Sequence, residues 1–252
     1  MWKSLAPPLK PETTASRLAP APRIYGSNKS VAVPVMASVR SDFLFDDFFF
    51  FFSNNYSAEQ AMEAARAAVN GGITVLEIVR STPGVFEVLQ ALVNEYPTKA
   101  FGVGTVLTAE DAKTAIKAGA KFLMSPATVN DIIDTVQDAD VLYIPGAMTP
   151  TEIFSAHNAG AKIVKIYPVS ALGGVRYISA IMKPFSHIPM VASQGITIDS
   201  VGDYIAHGAI SVILSDAIFS KEAMNQNNFN AVNQLAKSAA LQGKNAVERK
   251  KR

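Results

Sequence analysis

From about residue 48, short apolar runs alternate with longer stretches in which apolar positions recur every three or four residues. The first pattern is that of a buried strand and the second that of an amphipathic helix. The runs Phe48 to Phe52, Thr74 to Val79, Ala100 to Gly104, Phe122 to Ser125, Val141 to Pro145, Lys162 to Tyr167, Pro189 to Ser193 and Ser211 to Leu214 predict eight strands. Helices are predicted to begin near Ala58, Gly84, Thr108, Thr128, Thr149, Leu172, Ile198 and Lys221. Strand followed by helix, repeated at roughly 20 to 30 residues, is the signature of parallel βα units.

The polar positions punctuate this rhythm. Thr108-Ala-Glu-Asp, Thr149-Pro-Thr-Glu and Thr197-Ile-Asp-Ser each offer a hydroxyl at a helix N-cap with acids in the first turn. Helix exits recur as Asn70-Gly71-Gly72, Ala118-Gly119-Ala120, Ala159-Gly160-Ala161 and His207-Gly208-Ala209, where a glycine follows the last turn and leads into a strand. Eight such units between residues 46 and 242 predict a (β/α)8 barrel of the TIM type. A doubly wound open sheet is the alternative, but the glycine-rich dinucleotide fingerprint it would favour is absent.

Strand periodicity singles out two charged residues. Successive side chains on a strand point to opposite faces, so Lys162 and Lys165 cannot share an environment. Lys162 stands where the strand begins and can reach solvent, whereas Lys165 lies between Val164 and Ile166 and shares a face with Ile163 and Tyr167. An ammonium held among apolar groups loses its proton more readily and becomes a nucleophile toward carbonyls. The same residue could instead snorkel from the strand end. On the second strand Glu77 shares a face with Val75 and Val79, which makes it the natural partner of Lys165. The pair is either catalytic or a structural ion pair inside the barrel. A barrel site forms at the C-terminal strand ends, here Gly102-Val103-Gly104-Thr105, Ser125-Pro126, Pro145-Gly146, Ser193-Gln194-Gly195 and Ser215-Asp216.

Composition narrows the function classes. The chain has 252 residues, 49% of them hydrophobic, and no apolar run of membrane-spanning length. Without cysteine there is no thiolate nucleophile or thiolate metal site. Residues 1–40 carry six basic residues (Lys3, Lys10, Arg17, Arg23, Lys29, Arg40) against Glu12, a segment charge of +5 in a chain whose total is +2. The remainder is therefore at −3, which gives no footing for nucleic acid. The basic, acid-poor segment, rich in Pro, Ser and Thr, has the composition of an organelle transit peptide, expected to span residues 1–45. Residues 243–252 are expected to form a solvated charged tail.

Val75-Leu-Glu-Ile, Gly102-Val-Gly-Thr-Val-Leu, Ser125-Pro126, Ile144-Pro-Gly, Thr149-Pro-Thr-Glu, Lys165-Ile-Tyr-Pro, Leu172-Gly-Gly-Val, Lys183-Pro-Phe and Gln194-Gly-Ile stand in that order. In these motifs the chain resembles the KDPG/KHG (2-keto-3-deoxy-6-phosphogluconate and 4-hydroxy-2-oxoglutarate) aldolases, and in particular plastid members from plants. The resemblance implies a Schiff-base aldolase that releases pyruvate and an aldehyde from a 2-keto acid. It gives Lys165 the imine and Glu77 the proton transfers, with Thr105 near the substrate carboxylate and Pro126 and Pro145 shaping the pocket. Tyr167, Ser193, Gln194, Gly195 and Ser215 complete the expected substrate-binding set. Neither a metal nor another cofactor is implied, and His157, His187 and His207 show no ligand spacing. A small-molecule substrate, a homotrimer and a plastid location are expected, with no membrane or nucleic-acid partner. The rival expectation is a non-catalytic barrel that serves as an oligomeric binding protein.

The chain departs from that family in four places. Where many bacterial members carry an arginine four residues after the glutamate stands Ser81; Arg80 is one position off, which turns it to the other face of the strand. Asn54 replaces an arginine expected after strand one. Ser193-Gln194-Gly195 and Ile213-Leu214-Ser215 put side chains where glycine backbone would approach a phosphate. Finally, five successive phenylalanines in strand one are more than a small barrel layer is expected to hold.

Overall fold

The structure is a computed structural model in which residues 49–52 and 56–250 are described. The basic segment through residue 45 and Asn54 lie outside the described residues. The strands are β1 (Phe49–Phe52), β2 (Val75–Val79), β3 (Ala100–Gly104), β4 (Phe122–Met124), β5 (Leu142–Ile144), β6 (Gly146–Ala147), β7 (Val164–Ile166), β8 (Met190–Ser193) and β9 (Ser211–Leu214). Helices follow them: α1 (Ala58–Asn70), α2 (Val85–Glu95), α3 (Ala109–Lys117), α4 (Asn130–Val136), α5 (Pro150–Asn158), α6 (Val175–Met182), α7 (Val201–Ala206), α8 (Lys221–Asn225) and α9 (Phe229–Lys250). A 3-10 turn, Val169–Leu172, precedes α6.

Hydrogen-bonded neighbours run β5-β4-β3-β2-β1-β9-β8-β7-β6, and every pairing is parallel. Pro145 alone separates β5 from β6, so the two ends of this order are one interrupted strand and the sheet closes into the (β/α)8 barrel. The interruption follows from proline chemistry, since Pro145 has no N–H to give to a ladder. β1 takes its place between β2 and β9, with Phe51 opposite Glu77 and Phe49 opposite both Val75 and Ile213. By backbone pairing, Phe49–Phe52 is therefore the first barrel strand.

Parity divides the strand residues into two layers. Val75, Ala100, Phe122, Met124, Ile144, Ile163, Val191 and Ile213 form one buried cluster inside the barrel. Their sequence neighbours Leu76, Phe101, Leu123, Val164, Met190 and Val212 join the larger cluster between sheet and helices. Both layers are built mainly from branched and aromatic side chains, whose removal from water at ~25 cal/mol per Å² is the main force holding the fold.

The expected caps hold at two helices and shift at a third. Thr108 accepts from the Asp111 N–H, and Thr149 and Glu152 form a reciprocal capping box. Thr197 instead opens a turn closed by its bonds to Ser200, and α7 begins only at Val201. Gly72, Gly119, Gly160 and Gly208, which end four helices, all have positive φ, between +97° and +114°.

The expected solvated tail needs correction. Helix α9 continues through residues 243–250, and Ala246 and Val247 are buried within it. Small and apolar residues spaced along Ala236, Ala239, Gly243, Ala246 and Val247 make one buried stripe that polar composition concealed. Lys250 reaches back to the Ala209 carbonyl at 3.5 Å.

Candidate active site

Glu77 and Lys165 stand at the third and second positions of β2 and β7, on the inward parity shared with Val75 and Ile163. Both are buried, with relative exposures of 1% and 7%. The space that Glu77 needs is provided by glycine: a Cβ on Gly104 would overlap a Glu77 carboxylate oxygen, and one on Gly102 would overlap Phe122. Opposite Lys165 on the neighbouring strand is another glycine, Gly146, and the Lys165 N–H donates to the Pro145 carbonyl at 2.8 Å.

The electrostatics follow from burial. Neither Glu77 oxygen has a hydrogen-bond partner among the described residues. Loss of hydration raises its carboxyl from the ordinary 4.5 to about 7, against the pull of the Lys165 charge. Burial likewise lowers the Lys165 ammonium, against the opposing influence of Glu77. The amine therefore gives up its proton more readily than an ordinary lysine, and the carboxyl can accept or give one near neutrality. Lys165 Nζ lies 5.4 Å from the Tyr167 ring centroid, which places Tyr167 beside the amine as strand parity implied. Lys162 is exposed and precedes the first residue of β7.

The remaining expected residues fall at the C-terminal strand ends. Thr105 follows β3 and is half-buried, Pro126 follows β4, and buried Pro145 lies between β5 and β6. Ser193 closes β8 and is buried, whereas Gln194 and Gly195 are exposed and Ser215 is half-buried after β9. Gln194 has φ +82°, a conformation that glycine adopts without strain, and Gly195 has φ +73°. The backbone at this point therefore keeps a glycine-like path while carrying a side chain. That side chain is held by the Ser170 hydroxyl, which donates to Gln194 Oε1. Ser170 was not expected at the site, because a lone serine in a short turn has no spacing to mark it.

Arg80 points outward, in accord with its parity. Its Nε donates to Asp111 at 2.8 Å and its guanidinium lies 5.1 Å from the Phe86 ring centroid, on the α2–α3 side of the sheet. Ser81 is exposed. His157 and His187 meet edge to face at 5.7 Å, and the described residues contain no group of three or more His, Cys, Asp or Glu placed to hold a metal. No helix among them is long and apolar enough to cross a membrane.

Comparisons with known proteins agree with the fold and point to a family. The family model for KDPG and KHG aldolases matches residues 54–235. The KHG/KDPG aldolase of Escherichia coli strain K12 is 29% identical over 181 residues, covering 72% of this chain and 85% of that protein. The 2-dehydro-3-deoxy-phosphogluconate aldolase of Treponema pallidum is 35% identical over 149 residues, 59% of this chain and 71% of the relative. Among solved structures, the KDPG aldolase of Legionella pneumophila, with pyruvate captured as a covalent carbinolamine, superposes with a TM-score of 0.71 at 26% identity. That superposition covers 77% of this chain and 95% of the other. With a buried lysine and glutamate inside a closed (β/α)8 barrel and a family match over most of its length, the chain belongs to the KDPG and KHG aldolases.

Proposed function

We propose that the protein is a class I aldolase that cleaves a 4-hydroxy-2-keto acid to pyruvate and an aldehyde through an imine on Lys165. The observation that carries this reading is the buried Glu77–Lys165 pair, whose proton affinities are driven toward each other by desolvation. The neutral Lys165 amine adds to the C2 carbonyl, and loss of water, assisted by the Glu77 carboxyl proton, leaves a protonated imine and a Glu77 carboxylate. Glu77, as carboxylate, takes the C4 hydroxyl proton while the C3–C4 bonding electrons move into the imine, which gives an enamine and frees the aldehyde. The proton on Glu77 then returns to C3, and water hydrolyses the protonated imine to release pyruvate and the neutral amine, with the released proton taken up by Glu77. Thr105 would receive the substrate carboxylate, with Pro126, Pro145 and Tyr167 forming the pocket wall.

The test is release of pyruvate from 4-hydroxy-2-oxoglutarate in the presence of a chelator. Turnover unaffected by the chelator and abolished in Lys165→Arg is expected. Turnover that survives in Lys165→Arg would refute the reading.

The unphosphorylated substrate is favoured in this reading because Ser193, Gln194 and Ser215 occupy the region where bare backbone would otherwise meet a phosphate. Family membership and the exposed side chains of Met148 and Phe154 support assembly as a homotrimer. A solution mass other than three chains would remove that element. The composition of residues 1–40 supports import into plastids. Fused to residues 1–45, a fluorescent protein should enter the organelle, and a cytosolic signal would count against import.

A further inference from the structure

Tyr143 sits in the middle of β5, faces outward, and is only 3% exposed. Its phenol is the hub of a small polar network. The Val129 N–H donates to Tyr143 Oη at 3.1 Å, Tyr143 Oη meets Ser125 Oγ at 2.5 Å, and Ser125 Oγ donates to the Ala127 carbonyl at 2.5 Å. The Ala127 carbonyl is also 3.3 Å from Tyr143 Oη. One side chain thereby ties down the residues from Ser125 to Val129, which is the loop between β4 and α4.

That loop reaches the strand of Lys165 through backbone alone. Pairing between β4 and β5 ends at Met124–Ile144, and pairing between β6 and β7 begins at Gly146–Lys165, with Pro145 breaking the strand between them. At this seam the Pro126 backbone sits where a Cβ on Gly146 would be. Gly146 is in register with Lys165, and Pro145 accepts the Lys165 N–H. The route from phenol to amine is therefore Tyr143, the Ser125–Val129 loop, Pro126, Gly146 and Lys165, each step a hydrogen bond, packing contact or strand pairing.

We propose that Tyr143 is a positioning residue for Lys165: it fixes the seam of the barrel beside the amine and so sets the direction from which the amine meets a carbonyl. The inference rests on Lys165 as the imine residue. Tyr143→Phe keeps the ring and removes the hub hydroxyl, leaving the Val129 N–H and Ser125 Oγ without their shared partner. Misaimed attack slows bond formation, whereas Thr105 after β3, which would receive the substrate carboxylate, lies outside the network, so rate falls more than affinity.

The experiment measures the rate of borohydride trapping with pyruvate, and kcat and KM for cleavage, in wild type, Tyr143→Phe, Ser125→Ala and the double variant, well below their melting temperatures. The trapping rate and kcat should fall about tenfold in Tyr143→Phe, with KM changed less than about twofold. The double variant should be no slower than the slower single one, because both changes open the same network. Should Tyr143→Phe not fold, Ser125→Ala carries the test, since it takes away one phenol partner and keeps the Val129 bond. A variant that melts earlier but traps pyruvate at the wild-type rate would overturn the proposal and leave Tyr143 a stability residue. Failure of wild type itself to trap pyruvate would instead refute the aldolase reading.

Discussion

Glu77 is the residue whose environment carries the most chemical information. Its folded value of about 7 exceeds the ordinary 4.5, so as pH rises the unfolded chain gives up this proton before the folded one does. The folded state is therefore relatively most stable below about pH 4.5, and the contribution is lost as pH climbs to about 7. Lys165 works in the opposite sense: its lowered value makes its contribution complete above the ordinary 10.5 and lost as pH falls. Glu77→Gln removes the first effect. Relative to wild type, the variant should gain on the order of 2 kcal/mol in stability between pH 5 and pH 8, a Tm difference growing by about 5 °C. A difference that stays constant over that range would show that Glu77 is not strained by burial. The same variant should retain imine trapping yet turn over about 10²- to 10⁴-fold more slowly, the usual weight of a positioned acid or base.

At the scale of elements, the proposed substrate choice rests on the ends of β8 and β9. Charge-assisted hydrogen bonds to a phosphate are each worth about 1.5 to 3 kcal/mol, so their loss alone would cost tenfold or more in selectivity. The ratio of kcat/KM for 2-keto-3-deoxy-6-phosphogluconate to that for 4-hydroxy-2-oxoglutarate should therefore be no greater than one. A preference of tenfold or more for the phosphorylated acid would mean that the glycine-like path at Gln194 still cradles an anion. The parallel βα rhythm was legible in the sequence because strand and helix periods differ and because glycine marks the helix exits. Parity alone put Glu77 and Lys165 inside and Arg80 outside. What periodicity missed depends on contacts between distant segments: the clasp of Ser170 on Gln194, the Ser125–Tyr143 network, and the split of the fifth strand at Pro145. The final turns of α9 were missed for another reason, since a stripe of alanine and glycine buries little area per residue and reads as neutral in a polar segment.

For the whole molecule, the barrel explains why Lys165 differs from the other described lysines. Closure of the sheet at Pro145 surrounds Lys165 with apolar layers and sets the Glu77 carboxylate near it, whereas Lys162, three residues earlier, remains exposed. The enclosed space lowers the amine, and the opposing parity of neighbouring positions ensures that Lys162 cannot substitute for it. The most direct measurement is peptide mapping after incubation of the intact protein with pyruvate and borohydride. A reduced pyruvyl adduct on Lys165 alone, lost in Lys165→Arg, is the result this account predicts. Absence of an adduct on the wild-type protein, or a label on any other lysine, would contradict it and leave the barrel as a binding protein.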